Sequence, residues 1–348
     1  MMQEIETPRQ YDDIDGVIRP AQNTCIFGHE DVISSITRML EDGRLHHALL
    51  FEGPLGIGKA TLAYHLAWNI LVSSSGEFKS PDETSPVWRQ IAQGSHPSVT
   101  HISRRFDNKT ERFNTGITID DIREINRFLA QTSYNGGWRI VIIDTADDMN
   151  RAAANGILKT LEEPPQKTLF ILVSHSSGRL LPTIRSRCHL VKFRPLDYDN
   201  MQKALHHVLA NQLPKPAELD AIISESEGSV RKAALLVCYG GMEIIRVQRE
   251  ILNQPVFDVV KAQTIAQALS GRDAIIQFHQ FCDNLLNIVS GKAMRAAIDG
   301  RSALSNRYAE AWKNIAEEVA QTEAFNLDKK QFVINVLYKL HKLIAENT

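Results

Sequence analysis

Apolar and polar positions along this chain fall into two regimes. In the first half, short unbroken apolar runs alternate with amphipathic stretches, and after Pro195 only the amphipathic stretches continue. The runs at 48–51, 99–102, 138–143, 169–173 and 190–193 have the length of strands buried on both faces. Between them, residues 59–71, 118–129 and 150–161 carry helical spacing, as does 30–40 through Val32, Ile33, Ile36, Met39 and Leu40. Asp120 and Asp121 stand in the first turn of the 118–129 helix. Strands alternating with helices predict an α/β fold with a parallel sheet covered on both sides. The last two runs have no full helix between them, so that link is expected to be a loop.

Residues 73–98, containing SSSGEFKSPDETSP, interrupt the alternation and read as a surface loop or insertion with a short helix at 87–92. Beyond Pro195, helices are predicted at 201–213, 217–224, 230–238, 242–252, 259–269, 272–290, 302–322 and 327–347. The expected organisation is a mobile extension at 1–22, an α/β domain at 23–194, a small helical module at 195–241 and a C-terminal helical domain at 242–348. No internal repeat is visible.

Composition narrows the class. At 43% hydrophobic and 23% charged, the 348 residues are ordinary for a globular protein. The net charge of −2 argues against a free-standing nucleic-acid binder, which would need a surplus of Lys and Arg. Cys25, Cys188, Cys238 and Cys282 are scattered without metal-ligand spacing, which favours reduced thiols in the cytoplasm over a disulfide framework. The first residues are acidic and polar, and no apolar run reaches membrane-spanning length, so a soluble chain with no membrane partner is expected.

The segment ALLFEGPLGIGKATLAYHLA reads as strand, glycine turn and helix. Gly53, Gly56 and Gly58 let the backbone N–H groups converge on phosphate oxygens, the helix start adds positive potential, and Lys59 can reach terminal phosphates. ATP or ADP is the expected ligand class. The hydroxyl that normally follows this lysine and ligates magnesium is replaced by Ala60, and Thr61 comes one residue late, about 100° around the helix. In WRIVIIDTADDMN, a buried strand ends at Asp144, where a carboxylate can hold magnesium through water or simply cap the next helix. Thr145 occupies the place where many such ATPases carry a Glu base, and a threonine is no base at neutral pH.

Several segments carry a family resemblance: RLHHALLFEGPLGIGKATLA, GSHPSV, ITIDDIREI, RIVIIDTADDMNRAAANGILKTLEEPP, the Ser186-Arg187-Cys188 triplet and GSVRKAA. Together they resemble the clamp-loader branch of the AAA+ ATPases in bacterial DNA polymerase III, in the expected order from Ile26 to about Leu236. The resemblance implies an AAA+ nucleotide-binding domain, a helical lid and a C-terminal all-helical collar. It implies that Arg187 is an arginine finger acting in trans on a neighbour's ATP. Arg231 matches the sensor-2 arginine, though alone it reads equally as a solvated helix residue. Ser174 and His175 fall near the sensor-1 position.

The implied partners are gamma/tau and delta subunits, the sliding clamp, and primer–template DNA through the assembly. Little or no ATPase or polymerase activity is expected from the isolated chain. The cysteine cluster that holds zinc in many such subunits has no counterpart at 73–95, and His96 is alone, so neither zinc nor another resident metal is expected. The main competitor is an active ATPase of the gamma/tau type, which Ala60 and Thr145 disfavour. A small-molecule kinase leaves the Ser-Arg-Cys element unexplained. A DNA-binding regulator lacks an obvious basic recognition helix.

Overall fold

The computed structural model describes residues 7–72, 77–131, 137–209 and 212–347. It forms two compact units, one reaching Ala234 and the other running from Leu235.

The first unit is built on five parallel strands in the order β2-β5-β6-β1-β7: β1 (Ala48–Glu52), β2 (Val99–Ile102), β5 (Arg139–Asp144), β6 (Thr168–Ser174) and β7 (His189–Lys192). Each lies within two residues of its expected run. A short antiparallel pair, β3 (Phe106–Asp107) and β4 (Arg112–Phe113), was not foreseen. Strand periodicity of two sorts the sheet's side chains into two cores. Leu49, Phe51, Ile140, Ile142, Leu169 and Ile171 face one side. Ala48, Leu50, Val141, Ile143, Phe170 and Leu172 face the other. Both sides are covered, which is why β5 and β6 are nearly continuous apolar runs rather than alternating ones.

Helices α1 (Glu30–Glu41), α2 (Lys59–Val72) and α3 (Pro86–Ala92) contribute to the first core. Within α2, Lys59 and every residue from Thr61 to Asn69 are buried, as expected for a helix that is apolar all round. Ser85 caps α3 through Trp88 N. Helices α4 (Ile119–Ala130), α5 (Arg151–Gly156), α6 (Leu158–Glu162) and α7 (Pro182–Arg185) belong to the opposite side. The start of α4 is fixed by a capping box in which Asp121 accepts from Thr118 N at 2.6 Å. The single helix expected at 150–161 is broken at Ile157. The expected loop before β7 contains the one-turn α7. Three further helices, α8 (Tyr198–Leu209), α9 (Pro216–Ser226) and α10 (Val230–Cys238), follow the sheet.

The second unit carries α11 (Gly241–Asn253), α12 (Val259–Leu269), α13 (Ile275–Ile298), α14 (Ser302–Ala324) and α15 (Lys329–Ala345). Phe278, Phe281, Leu285, Val333, Val336 and Leu337 are fully buried at its centre. Among them sits buried Gln248, whose amide donates to Phe281 O at 2.9 Å and accepts from Asn284 at 2.5 Å. Among the described residues no helix is long and apolar enough to cross a membrane.

Residues 7–22, expected as a mobile extension, contact the rest of the first unit, where Ser103 donates to Gln10 Oε1 and Arg231 to Asp12 O, and line a cleft there. Residues 1–6 and 73–76 lie outside the described residues.

Candidate nucleotide-binding site

The turn between β1 and α2 folds as its glycines require. Gly56 has φ of 75° and Gly58 of 101°, a region where a side chain is strained. At Gly56 close approach adds to this, because a Cβ there would lie 2.2 Å from Cβ of Arg231. Two bonds reach the turn from the start of α10: Arg231 N donates to Gly56 O at 3.2 Å, and Ser229 Oγ to Leu55 O at 2.8 Å. On the other side, buried His29 bonds Ile57 O through Nε2 at 2.7 Å.

Lys59 is only 3% exposed. Its Nζ donates to Gly53 O at 2.7 Å and also to Pro54 O, so the ammonium is folded back onto its own loop. Burial lowers its proton affinity to a pKa of about 8, against the opposite pull of Asp144 and Asp147. Asp144, at the end of β5, is pushed up to about 7, first by burial and then by the Asp12 carboxylate, while Lys59 opposes the shift. Thr61 is buried beside Ala60 on the same wall, and Thr145 is buried after Asp144.

The two acids beyond Thr145 spend their hydrogen bonds on other groups. Asp147 accepts from Ser174 Oγ at 2.7 Å and His175 N at 2.5 Å, tying the turn after β5 to the end of β6. Asp148 takes both Nε and Nη2 of Arg104, at 2.7 and 2.5 Å. The His175 ring has no protein partner at either nitrogen, and burial, then the Lys59 charge, hold it down at about 4.

Gly56, Gly58, Lys59, Ala60, Thr61, Asp144 and Arg231 all line one cavity of about 630 Å³. Gly53 stands just beside it through its carbonyl bond to Lys59. A cavity of this volume is in the range of small-ligand sites, roughly 300–1,000 Å³. Sequence reasoning missed Asp12, Arg104 and His29, which line the same cavity. None sits in a recognisable spacing; only their contacts across the fold reveal them.

Arg187 is placed elsewhere. It lies outside the residues lining the cavity, between α7 and β7, donating to Thr183 O at 2.7 Å and pairing with Glu162 at the end of α6. Among the described residues no group of three or more His, Cys, Asp or Glu could hold a metal ion, and His96 Nδ1 accepts from Ser98 N at 3.1 Å.

A family model described as "DNA polymerase III, delta subunit" matches residues 28–197. The DNA polymerase III subunit delta' of Pseudomonas aeruginosa is 34% identical over 249 residues, 70% of this chain and 71% of that protein. The DNA polymerase III subunit tau of Escherichia coli is 28% identical over 261 residues, 74% of this chain but only 39% of the longer relative. Among solved structures, a DNA polymerase III gamma subunit-related protein of Thermotoga maritima covers 90% of this chain and 100% of its own, at 17% identity and a TM-score of 0.43. On the delta' match, over two thirds of both chains, this chain belongs to the DNA polymerase III delta' family of clamp-loader subunits.

Proposed function

We propose that the chain works as a non-hydrolysing clamp-loader subunit that lends Arg187 to the ATP of a neighbouring subunit. Its partners on this reading are the gamma/tau and delta subunits, with the sliding clamp and primer–template DNA engaged through the assembly. The observation that supports the reading is the separation of Arg187, its side chain 30% exposed, from the residues lining the chain's own cavity. A guanidinium there offers fixed donors to phosphate oxygens and neutralises developing charge, worth roughly 10³–10⁵ in rate in some phosphoryl-transfer enzymes.

The chain's own site, on this reading, binds ATP or ADP without turning it over. The loop amides and the start of α2 receive the phosphates, and Lys59 exchanges the carbonyls of Gly53 and Pro54 for phosphate oxygens. Arg231 reaches the same phosphates from α10. Asp144 remains to hold magnesium through water, but Ala60 supplies no hydroxyl to the metal and Thr145 no base to the attacking water.

Steady-state ATP turnover tests the reading. The purified chain should turn over negligible ATP, and replacing it by Arg187→Ala in an assembly with gamma/tau and delta should abolish clamp loading. Robust magnesium-dependent turnover by the chain alone would instead favour an active ATPase of the gamma/tau type.

A further inference from the structure

Residues 7–19 run along the cavity that holds the phosphate loop, and their own contacts fix them there. Gln10 and Asp13 close a turn, Asp13 N donating to Gln10 O at 3.3 Å and Gln10 N to Asp13 Oδ2 at 2.9 Å. Arg19 holds both ends, donating to Thr7 O at 2.9 Å and pairing with Asp13 Oδ2 at 3.0 Å. Beyond β2, Ser103 donates to Gln10 Oε1 at 2.6 Å, and the Arg104 guanidinium lies 4.4 Å from the centre of the Tyr11 ring.

This turn delivers Asp12 to Arg231. The Nη1 of Arg231 donates to Asp12 O and lies 3.5 Å from Asp12 Oδ2. A carboxylate is the protein group closest in charge and acceptor geometry to a phosphate oxygen, and both are preferred partners of a guanidinium. The same carboxylate adds negative charge beside Asp144. Two effects therefore oppose an incoming polyphosphate: a cation already engaged, and an anion already in place.

We propose that the segment around Asp12 is a built-in competitor for nucleotide: Asp12 stands in for a phosphate at Arg231, and nucleotide enters by displacing it. The proposal rests on residues 53–59 being a nucleotide loop, and it adds how access to that loop is regulated. Apparent affinity falls in proportion to the fraction of molecules in which the segment is undocked. The Asp12 and Arg231 side chains are 37% and 23% exposed, so their pairing is moderate, and removing it should tighten binding about three- to tenfold.

The test titrates ADP and ATP into the full chain, native and as Asp12→Ala, Asp12→Asn and Arg231→Ala, singly and combined. Far-ultraviolet circular dichroism melting confirms that each variant is folded, and the isosteric Asp12→Asn guards against a packing defect in the alanine variant. Both Asp12 variants should bind ADP about three- to tenfold more tightly than the native chain. In the Arg231→Ala background the gain should shrink, because the contact being released is already gone. Amide hydrogen exchange at residues 10–14 should quicken when ADP saturates the native chain. Equal affinities for native and Asp12 variants, with measurable binding by both, overturn the competitor and leave the nucleotide loop standing. Absence of binding to native and Asp12 variants alike overturns the nucleotide loop itself, and the competitor with it.

Discussion

Gly56→Ala isolates the contact between the glycine loop before α2 and the start of α10, and its effect can be worked from two separate sources. Placing a side chain at φ of 75° costs about 1–2 kcal/mol, the usual penalty of left-handed backbone for an L-residue. The new methyl would also lie 2.2 Å from Cβ of Arg231 and 2.8 Å from Ser229 Oγ. The nearer of these is fixed to its own backbone, so relief requires α10 to shift; overpacking of this kind adds ~1–3 kcal/mol. The expected total is therefore ~2–5 kcal/mol. Gly43→Ala provides the control, since Gly43 has φ of 64° but open space around its missing Cβ, and should lose only about 1–2 kcal/mol. Urea unfolding followed by tryptophan fluorescence is the assay, because Trp68 and Trp88 are buried in the first unit and report on it. With a slope of roughly 2 kcal/mol per molar urea, the Gly56 variant should shift its midpoint by about 1 M or more, clearly beyond the Gly43 variant. Equal shifts would refute the reasoning, because they would mean that α10 does not press on the loop.

Asp144→Asn should stabilise the chain, and increasingly so as pH rises. Asp144 holds its proton more tightly folded (about 7) than at its ordinary value of 3.8, so its charged form opposes folding. That opposition is absent below about pH 4 and complete above about pH 7, and the variant's advantage should grow to ~1–3 kcal/mol at about pH 8, reduced because Lys59 loses a counter-charge. A pH-independent difference, measured by urea unfolding without magnesium, would contradict this. Glu162→Gln should alter stability by less than ~1 kcal/mol, since the pair it breaks is partly exposed, yet lower ATP turnover in the reconstituted assembly. Unchanged turnover would mean that the pair with Glu162 does not position Arg187 for the role proposed for it. Burial pushes the Cys188 thiol up to about 12, so iodoacetamide at pH 8 should modify it far more slowly in the folded chain than in urea.

Much of the first unit was legible because its strands must be apolar on both faces. Runs such as those of β5 and β6 have few other uses in a protein of this composition, and each strand fell within two residues of its expected place. The loop glycines were legible for a related reason, since their spacing follows from backbone geometry. Elements held by other forces were not. The pair β3 and β4 contributes two residues per strand, too few for any periodicity to register. The break at Ile157 lies within a continuous helical pattern; there Gly156 packs against Ile119, where a Cβ would come within 2.4 Å, a tertiary demand that no local pattern announces. Residues 7–19 carry little hydrophobic periodicity, and their contacts with Ser103, Arg104 and Arg231 lie far away in the chain. For the same reason Asp12 escaped notice, although it contacts a residue that the sequence did single out.

The bond from Arg231 N to Gly56 O joins main chain to main chain. Substitutions that leave the backbone in place, unlike Gly56→Ala, do not remove it, so the seat of α10 on the loop is independent of most side chains. Side-chain chemistry at this site can therefore erode while the architecture persists. Neither the Ala60 nor the Thr145 side chain takes part in this bond. A domain wired in this way keeps its shape whatever its side chains are asked to do.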